Sequence, residues 1–137
     1  MRSASKVWRG LAVALLAAWL TQFVPAASAR EATTPVERLG VIRVSELPAQ
    51  GREVLAAIHA GGPYGSKRDG IVFGNRERLL PQQPRGYYAE FTVPTPGAST
   101  RGARRIIAGR GTSGDYRTSN EYYYTNDHYQ SFRRIVQ

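Results

Sequence analysis

The residues of this chain best suited to chemistry are a glutamate, two arginines and a histidine in its C-terminal half. Glu90 lies in an alternating stretch at 87–93, Arg101 and Arg105 follow it, and His128 lies within Asp-His-Tyr. A phosphodiester that is cleaved by its own 2′-hydroxyl needs one group to accept that proton, another to protonate the leaving 5′-oxygen, and fixed cations to stabilise the charged intermediate. These side chains could supply all three, so they predict metal-free cleavage of RNA.

The alternating stretch at 87–93 predicts a β-strand with one polar and one apolar side. Successive side chains of a strand point in opposite directions. One side carries Tyr88, Glu90 and Thr92, and the other carries Tyr87, Ala89, Phe91 and Val93. Because the second set is apolar, we expect Glu90 on the open side of the sheet, where a substrate would lie. A solvated glutamate without a role is the alternative for any single strand.

The arginines and histidines differ in what their surroundings indicate. Arg104 and Arg105 point to opposite sides of an extended strand, so only one of them can readily join Glu90. Histidine side chains titrate near neutral pH, so His128 could protonate a leaving oxygen. A hydrogen-bonded surface histidine is the alternative. His59 lies at the end of a predicted helix, where a partial positive charge suits the helix dipole, and we assign it no catalytic role.

The elements that must position these residues are one helix and a series of short strands. Pro48 begins a helical segment that the glycine pair at 61–62 ends. Its apolar residues Val54, Leu55 and Ile58 share one face. Short β-type runs occur at 41–44, 71–73, 87–93, 105–108, 122–124 and 132–136. This order predicts an α+β fold, in which the tyrosines at 122–124 form core or cross-strand pairs rather than a base-stacking platform.

The first 29 residues predict a secretory signal peptide. Three basic residues precede an apolar run from Leu11 to Leu20, and the small residues at 27–29 allow cleavage after Ala29. An uncleaved anchor is the alternative, but the apolar run falls well short of the roughly 20 residues that a membrane-spanning helix needs. We therefore expect residues 30–40 to form a flexible lead-in and residues 41–137 to form one secreted domain.

The composition of the remaining chain limits its partners and cofactors. Residues 1–29 hold three basic and no acidic residues, so their removal lowers the net charge from +9 to +6. A basic secreted domain suggests a polyanionic partner such as nucleic acid, an acidic wall polymer or anionic lipid. The chain has no cysteine, two histidines and no run of acidic residues at ligand spacing, so it predicts no disulfide, no metal site and no cofactor.

Four motifs occur in order along the chain. They are Asp-Gly-Ile-Val-Phe-Gly-Asn-Arg-Glu at 69–77, Gly-Tyr-Tyr-Ala-Glu-Phe-Thr-Val-Pro-Thr-Pro-Gly at 86–97, Arg-Gly-Ala-Arg-Arg-Ile-Ile at 101–107 and Asp-His-Tyr at 127–129. Together they resemble the bacterial guanyl-specific ribonucleases, the barnase-like secreted endoribonucleases. The resemblance implies the microbial ribonuclease fold, with one main N-terminal helix packed on a twisted antiparallel β-sheet whose open face cleaves single-stranded RNA after guanine.

The resemblance also implies a role for each matching side chain. Glu90 matches the family's general base and His128 its general acid. Arg101 and Arg105 match its phosphate-binding arginines, which leaves Arg104 as a solvated or core-rim residue. The first product would be a guanosine 2′,3′-cyclic phosphate, which is then hydrolysed to the 3′-phosphate.

The segment 73–77 matches the family's guanine-recognition loop. The predicted base-binding residues are Phe73, Gly74, Asn75, Arg76, Glu77 and Tyr129. Guanine presents two donors, N1–H and the 2-amino group, that the carboxylate of Glu77 could accept together, whereas adenine would leave that charge unpaired. Gly74 stands where a larger side chain is familiar, which could loosen the loop. An ordinary polar turn with a salt bridge is the alternative interpretation.

Two other classes of function fit parts of the sequence. A basic nucleic-acid-binding module would explain the charge and the aromatic residues but not Glu90, which would repel phosphate. A glycosidase with Glu77 and Glu90 as paired carboxylates would explain neither the arginines nor His128. The ribonuclease hypothesis also implies a small acidic cytoplasmic inhibitor resembling barstar. It further predicts a secreted monomer that needs no metal and leaves the membrane once the signal is cleaved.

Overall fold

The structure is a computed structural model that describes residues 39–137 of the chain. The predicted signal peptide and most of the lead-in at 30–40 therefore lie outside the described residues. Within residues 39–137, one α-helix accompanies one six-stranded sheet. In this part of the chain, no helix has the length and apolar character needed to cross a membrane.

The helix and strands follow one another in the predicted order. The strands are β1 Gly40–Arg43, β2 Ile71–Val72, β3 Tyr88–Thr92, β4 Arg105–Gly109, β5 Tyr122–Thr125 and β6 Arg133–Val136, and the helix α1 is Ala49–Ala60. A 3-10 turn, Val44–Glu46, joins β1 to α1. The aromatic and β-branched residues of the central strands suit a pleated, packed surface. Each of the six predicted strands is present, and each end lies within one residue of its predicted position.

The helix α1 begins and ends at the residues that the sequence marks as helix breakers. Pro48 is the N-cap, and Gly61 ends the helix in the left-handed conformation at a φ of 79°. Glycine adopts this conformation without the clash that a Cβ atom would cause. Leu55 and Ile58 are buried against the sheet and Val54 is half-buried, so the predicted apolar face of the helix is confirmed.

The sheet has the strand order β1-β6-β5-β4-β3-β2. Four neighbouring pairs are antiparallel, whereas β1 and β6 are parallel. The segment containing α1 carries the chain from β1 at one edge to β2 at the other, and the following strands then run back one by one until β6 meets β1. The predicted α+β fold with one helix on a sheet is confirmed, but the sheet is mixed rather than antiparallel throughout.

Hydrophobic clusters cover both sides of the sheet. The side facing α1 buries Ile42, Leu47, Leu55, Ile58, Ala89, Phe91, Val93, Ile106, Ala108, Tyr122, Tyr124 and Ile135. The opposite side buries Leu80, Tyr88, Ile107, Tyr123 and Phe132, with Phe73, Tyr87 and Tyr129 packed against them. The tyrosines at 122–124 are therefore core residues, as predicted.

The second cluster corrects two expectations about the side of the sheet that carries Glu90. This side is open only in part, because the loop that contains Leu80 folds over it and buries Leu80 completely. Tyr87 also packs on this side and not against α1. It precedes the first residue of β3, so the alternation of the strand does not extend to it.

Candidate active site

A cleft of about 470 Å³ opens on the side of the sheet that carries Glu90. Nine of the ten predicted site residues line it: Phe73, Gly74, Asn75, Arg76, Glu77, Glu90, Arg101, His128 and Tyr129. The tenth, Arg105, lies behind Tyr129 and is not part of the wall. Residues that are far apart in the sequence are thus brought to one surface.

Glu90 is held in the cleft by two hydrogen-bond donors. Arg101 Nη2 donates to Oε1 over 2.9 Å, and the Tyr129 hydroxyl donates to Oε2 over 2.6 Å. The side chain of Glu90 is 9% exposed. Burial, together with the neighbouring carboxylate, raises the pKa of Tyr129, so its phenol remains a donor at neutral pH. Each oxygen of the carboxylate therefore accepts one hydrogen bond, which fixes the orientation of the group and leaves a further lone pair on each oxygen.

Arg101 is bound by residues on the same side of β3. Its Nε donates to Thr92 Oγ1 over 2.7 Å, and its Nη2 lies 3.9 Å from Asp69 Oδ1 as well as bonding Glu90. Glu90 and Thr92 are two residues apart on one strand, so their side chains point the same way. The side chain of Arg101 is 25% exposed, so part of the guanidinium remains open to the cleft.

Arg105 lies at the base of the site, where it is 2% exposed. Its Nη1 donates to the carbonyl oxygens of Gly102 and Arg104, and its guanidinium carbon lies 5.9 Å from the centre of the Tyr129 ring. Its Nε is buried and has no hydrogen-bond partner among residues 39–137. A buried guanidinium without a carboxylate partner in this part of the chain gives the base of the site a positive potential. Arg104 is half-buried.

His128 is presented by a turn after β5 whose backbone is unusual. His128 and Tyr129 both have positive φ, 57° and 72°, in the left-handed region that residues other than glycine rarely adopt. The carboxylate of Asp127 braces this turn, since it accepts from the Thr125 hydroxyl over 2.8 Å and from the Ser131 N–H over 3.0 Å. Burial raises the pKa of Asp127, but the hydrogen bonds lower it by more, so this pKa lies below its ordinary value. The imidazole of His128 is left exposed in the cleft.

The polar residues of the segment 73–77 have different positions. The side chain of Asn75, at a φ of 46°, turns back to Leu80: Nδ2 donates to its carbonyl over 2.9 Å and Oδ1 accepts its N–H over 3.1 Å. This amide therefore shapes the loop. Arg76 and Glu77 are exposed, and within residues 39–137 neither takes part in a salt bridge. The interpretation of this segment as a salt-bridged turn is not supported.

The other two residues of this wall, Phe73 and Gly74, differ in how they are constrained. The ring of Phe73 is half-buried, with ring centres 5.2 Å from Tyr129 and 6.0 Å from Phe132. The φ of Gly74 lies outside the left-handed region, and a Cβ atom there would meet only Arg76 Cγ, at 3.8 Å. The shape of the loop does not depend on a glycine at this position.

Sequence reasoning gave no role to three residues that support the site: Asp69, Thr92 and Asp127. The sequence does indicate Thr92, because the alternation of the strand places its side chain on the same side as that of Glu90. Asp69 and Asp127 lie in the quoted motifs. Asp127 braces its own turn through residues close to it in the sequence, whereas the 2.7 Å bond from the Thr92 N–H to Asp69 Oδ1 joins residues that the sequence does not place next to each other.

His59 lies apart from the cleft, on the α1 side of the sheet. Its Nδ1 is 2.8 Å from the carbonyl oxygen of Arg117, and its ring meets Tyr122 edge-on at 5.2 Å. It borders a separate cavity of about 370 Å³ beside the end of β6. This placement agrees with the expectation that His59 takes no part in the chemistry of the cleft. Across residues 39–137, no three His, Asp or Glu side chains are grouped as metal ligands.

Comparison with known proteins identifies the family. The family model described as ribonuclease matches residues 29–136. Guanyl-specific ribonuclease Sa3 of Kitasatospora aureofaciens is 50% identical over 100 residues, which cover 73% of this chain and 66% of that protein, just under two thirds of its length. Guanyl-specific ribonuclease Sa of the same organism is 48% identical over 98 residues, covering 72% of this chain and 95% of the relative.

Solved structures of ribonuclease Sa2 share this fold. Its complex with mononucleotides matches with a TM-score of 0.64 and 42% identity, covering 72% of this chain and 95% of that one. Its structure with guanosine-2′-cyclophosphate matches with a TM-score of 0.62 and 44% identity, covering 72% and 96%. The family match, these relatives and the shared fold agree with one another. The chain belongs to the family of bacterial guanyl-specific ribonucleases.

Proposed function

We propose that this protein is an endoribonuclease that cleaves single-stranded RNA on the 3′ side of guanosine. The observation that carries the proposal is the setting of Glu90, a carboxylate fixed between Arg101 and Tyr129 in the same cleft as His128 and Glu77. A protein that only binds RNA gains nothing from a fixed negative charge where the phosphate lies. A proton acceptor beside a reacting 2′-hydroxyl needs that position.

The first step is an internal transfer of the phosphoryl group. Glu90 accepts the proton of the guanosine 2′-hydroxyl, and the 2′-oxygen attacks phosphorus in line. As the P–O2′ bond forms, the P–O5′ bond breaks, and His128 gives a proton to the departing 5′-oxygen. Arg101 stabilises the negative charge that grows on the phosphoryl oxygens by hydrogen bonding, and Arg105, from behind Tyr129, adds the field of its positive charge. The products are a guanosine 2′,3′-cyclic phosphate and a free 5′-hydroxyl.

The second step is hydrolysis of the cyclic phosphate with the two roles exchanged. His128 takes a proton from water, the water oxygen attacks phosphorus, and Glu90 returns a proton to the 2′-oxygen as the P–O2′ bond breaks. The product is a guanosine 3′-phosphate. Structures of the relative Sa2 with guanosine-2′-cyclophosphate and with 3′-GMP hold the two species of this scheme and so support it.

Selectivity for guanine is assigned to the loop at 73–77. The exposed carboxylate of Glu77 would accept from N1–H and the 2-amino group, and backbone N–H groups of the turn at 74–76 would meet O6. Phe73, Arg76 and Tyr129 border the space left for the base. Adenine would present an acceptor to Glu77 and leave the charge unpaired, a mismatch that discriminates strongly. The internal hydrogen bonds of Asn75 support this role by keeping the loop in one shape.

The proposal also covers export of the protein and its partners. Residues 1–29 direct export and are removed after Ala29, residues 30–40 form a lead-in, and residues 41–137 act as a secreted monomer free of the membrane. A net charge of +6 after cleavage favours RNA and also favours an acidic inhibitor resembling barstar, which would protect the producing cell. Mass spectrometry of the exported protein would test the cleavage site.

Turnover of four dinucleotides tests the proposed function. Purified residues 30–137 are incubated with GpU, ApU, CpU and UpU in EDTA, and release of the nucleoside 2′,3′-cyclic phosphate is followed. We expect rapid turnover of GpU alone. Equal cleavage of all four would retain the chemistry and refute the guanine loop. Binding of RNA without any product would refute the enzyme and favour a nucleic-acid-binding module.

A further inference from the structure

Thr92 is a buried polar residue of the cleft region to which the proposed mechanism gives no role. It ends β3, is 8% exposed, and lies on the same side of the strand as Glu90. Its hydroxyl oxygen accepts from Arg101 Nε over 2.7 Å. We infer that Thr92 is a positioning residue, which keeps Arg101 in place while Glu90 changes its protonation state. The inference rests on the proposed function and deepens it.

The hydrogen bonds of Arg101 divide its guanidinium into a fixed part and a free part. Nε is bound to Thr92 and Nη2 is bound to Glu90, over 2.7 and 2.9 Å. Nη1 makes no hydrogen bond within residues 39–137, and the side chain keeps 25% of its surface exposed. Two anchors on one side of a planar group set its plane, so the remaining N–H groups are directed before substrate arrives. This is preorganisation of a donor for a phosphoryl oxygen.

Thr92 is itself held by Asp69. The Thr92 N–H donates to Asp69 Oδ1 over 2.7 Å, and the Ser66 N–H donates to Oδ2 over 3.2 Å. Within residues 39–137, the strand β2 pairs with β3 only as far as Glu90, and no strand backbone lies beside Thr92 on that edge. Asp69, whose side chain is 3% exposed, fills this position. On the β4 side, the Val93 N–H donates to the carbonyl oxygen of Arg104. The backbone that carries the Thr92 hydroxyl is therefore hydrogen-bonded on both edges.

The two anchors of Arg101 behave differently during the reaction. As Glu90 accepts the 2′-hydroxyl proton its negative charge disappears, so its hydrogen bond from the charged guanidinium loses the ion-pair attraction and weakens. At the same moment the phosphoryl oxygens gain charge and attract the guanidinium. The hydroxyl of Thr92 does not titrate, so its bond to Nε keeps its strength through the transfer. Thr92 thus matters more in the transition state than in the bound ground state.

Removal of the Thr92 hydroxyl tests this inference. Thr92→Val keeps the shape of the side chain and removes the acceptor, whereas Thr92→Ser restores it. With GpU as substrate, we expect Thr92→Val to lower kcat about tenfold, the effect of one hydrogen bond to a charged group, with KM changed less than about twofold. Thr92→Ser should return kcat to within about threefold of the wild type. Thr118→Val, on an exposed loop, is the matched control and should match the wild type.

A double-mutant cycle shows whether Thr92 acts through Arg101. If it does, Thr92→Val lowers kcat in the wild type and produces no further loss in an Arg101→Ala background. Equal losses in the two backgrounds would overturn the inference, because they would indicate a general effect on the fold. Full activity of Thr92→Val would also overturn it. A wild-type protein that does not turn over GpU would overturn the proposed function, and so would be distinguished from either result.

Discussion

The carboxylate of Glu90, with a donor on each oxygen, allows one substitution to be analysed closely. In Glu90→Gln the side chain keeps its shape. Its amide oxygen can accept from Arg101 Nη2, and its amide nitrogen can face Tyr129, whose hydroxyl can rotate from donor to acceptor. The variant can therefore satisfy the same partners at 2.9 and 2.6 Å, but it has neither the charge nor the basic oxygen.

The expected effects on stability and activity are of different size. The hydrogen bond with Tyr129 changes from one to a charged group, worth about 1.5–3 kcal/mol, to a neutral one of about 0.5–1.5 kcal/mol, whereas the bond from Arg101 keeps its charged donor. The loss is about 1–2 kcal/mol, which a domain with about 5–15 kcal/mol of stability survives. Loss of a general base lowers kcat by about 10²–10⁴, equal to about 3–5 kcal/mol in the barrier.

The assay pairs steady-state turnover of GpU with thermal unfolding of the same preparation. Glu53→Gln, on the exposed side of α1, is the control for removal of one negative charge and should behave like the wild type. The reasoning is refuted if Glu90→Gln is folded and turns over GpU within about tenfold of the wild type, a loss too small for a missing base. In that case Glu90 only orients Arg101.

Three further outcomes are expected. Gly109→Ala should lower the free energy of unfolding by about 1–3 kcal/mol in urea titrations, because its Cβ would lie 2.6–2.8 Å from the Glu121 carboxylate, which two tyrosine hydroxyls hold in place. Gly74→Ala should raise that free energy by about 0.4–1 kcal/mol and keep GpU turnover; a loss of stability would contradict the geometry. Burial raises the pKa of Tyr88 and Tyr123, so the folded state holds their protons more tightly than the unfolded chain does. The contribution of these tyrosines to the free energy of unfolding should be fully present below about pH 10 and should fall above it. Equal free energies of unfolding at about pH 9 and pH 11 would contradict this prediction.

Local signals in the sequence are sufficient for the elements of this fold but not for all of their pairings. Proline and glycine mark the ends of α1, and alternation marks β3, because these patterns act over a few residues. The parallel pairing of Ile42 with Ile135 joins the first and last strands of the chain. It depends on the path of the whole chain between them, which no local pattern in the sequence indicates. The burial of Leu80 over the sheet likewise follows from the closure of a loop by the Asn75 side chain.

Residues that could carry the chemistry are easier to recognise in the sequence than the residues that support them. Glu90, Arg101 and His128 belong to residue types that act on phosphate, and their motifs are distinctive. The supporting contacts join residues far apart in the chain, such as Asp69 with Thr92, and an aspartate or threonine in isolation has many ordinary uses. The positive φ of His128 could not be predicted from the sequence either, because a histidine does not indicate a left-handed backbone conformation.

The backbone at His128 and Tyr129 has a consequence for attempts to engineer this protein. Residues other than glycine lose roughly 1–2 kcal/mol each in the left-handed region, so this turn is a local weakness that the rest of the fold must offset. Glycine or asparagine at position 128 would relieve part of that weakness and remove an exposed side chain that faces the cleft, whereas Tyr129 also packs on Phe73 and holds Glu90. A laboratory selection for heat resistance alone would favour such a replacement and would yield more stable proteins that lack the proposed general acid. Improvement of this protein therefore requires that survival and turnover be selected together.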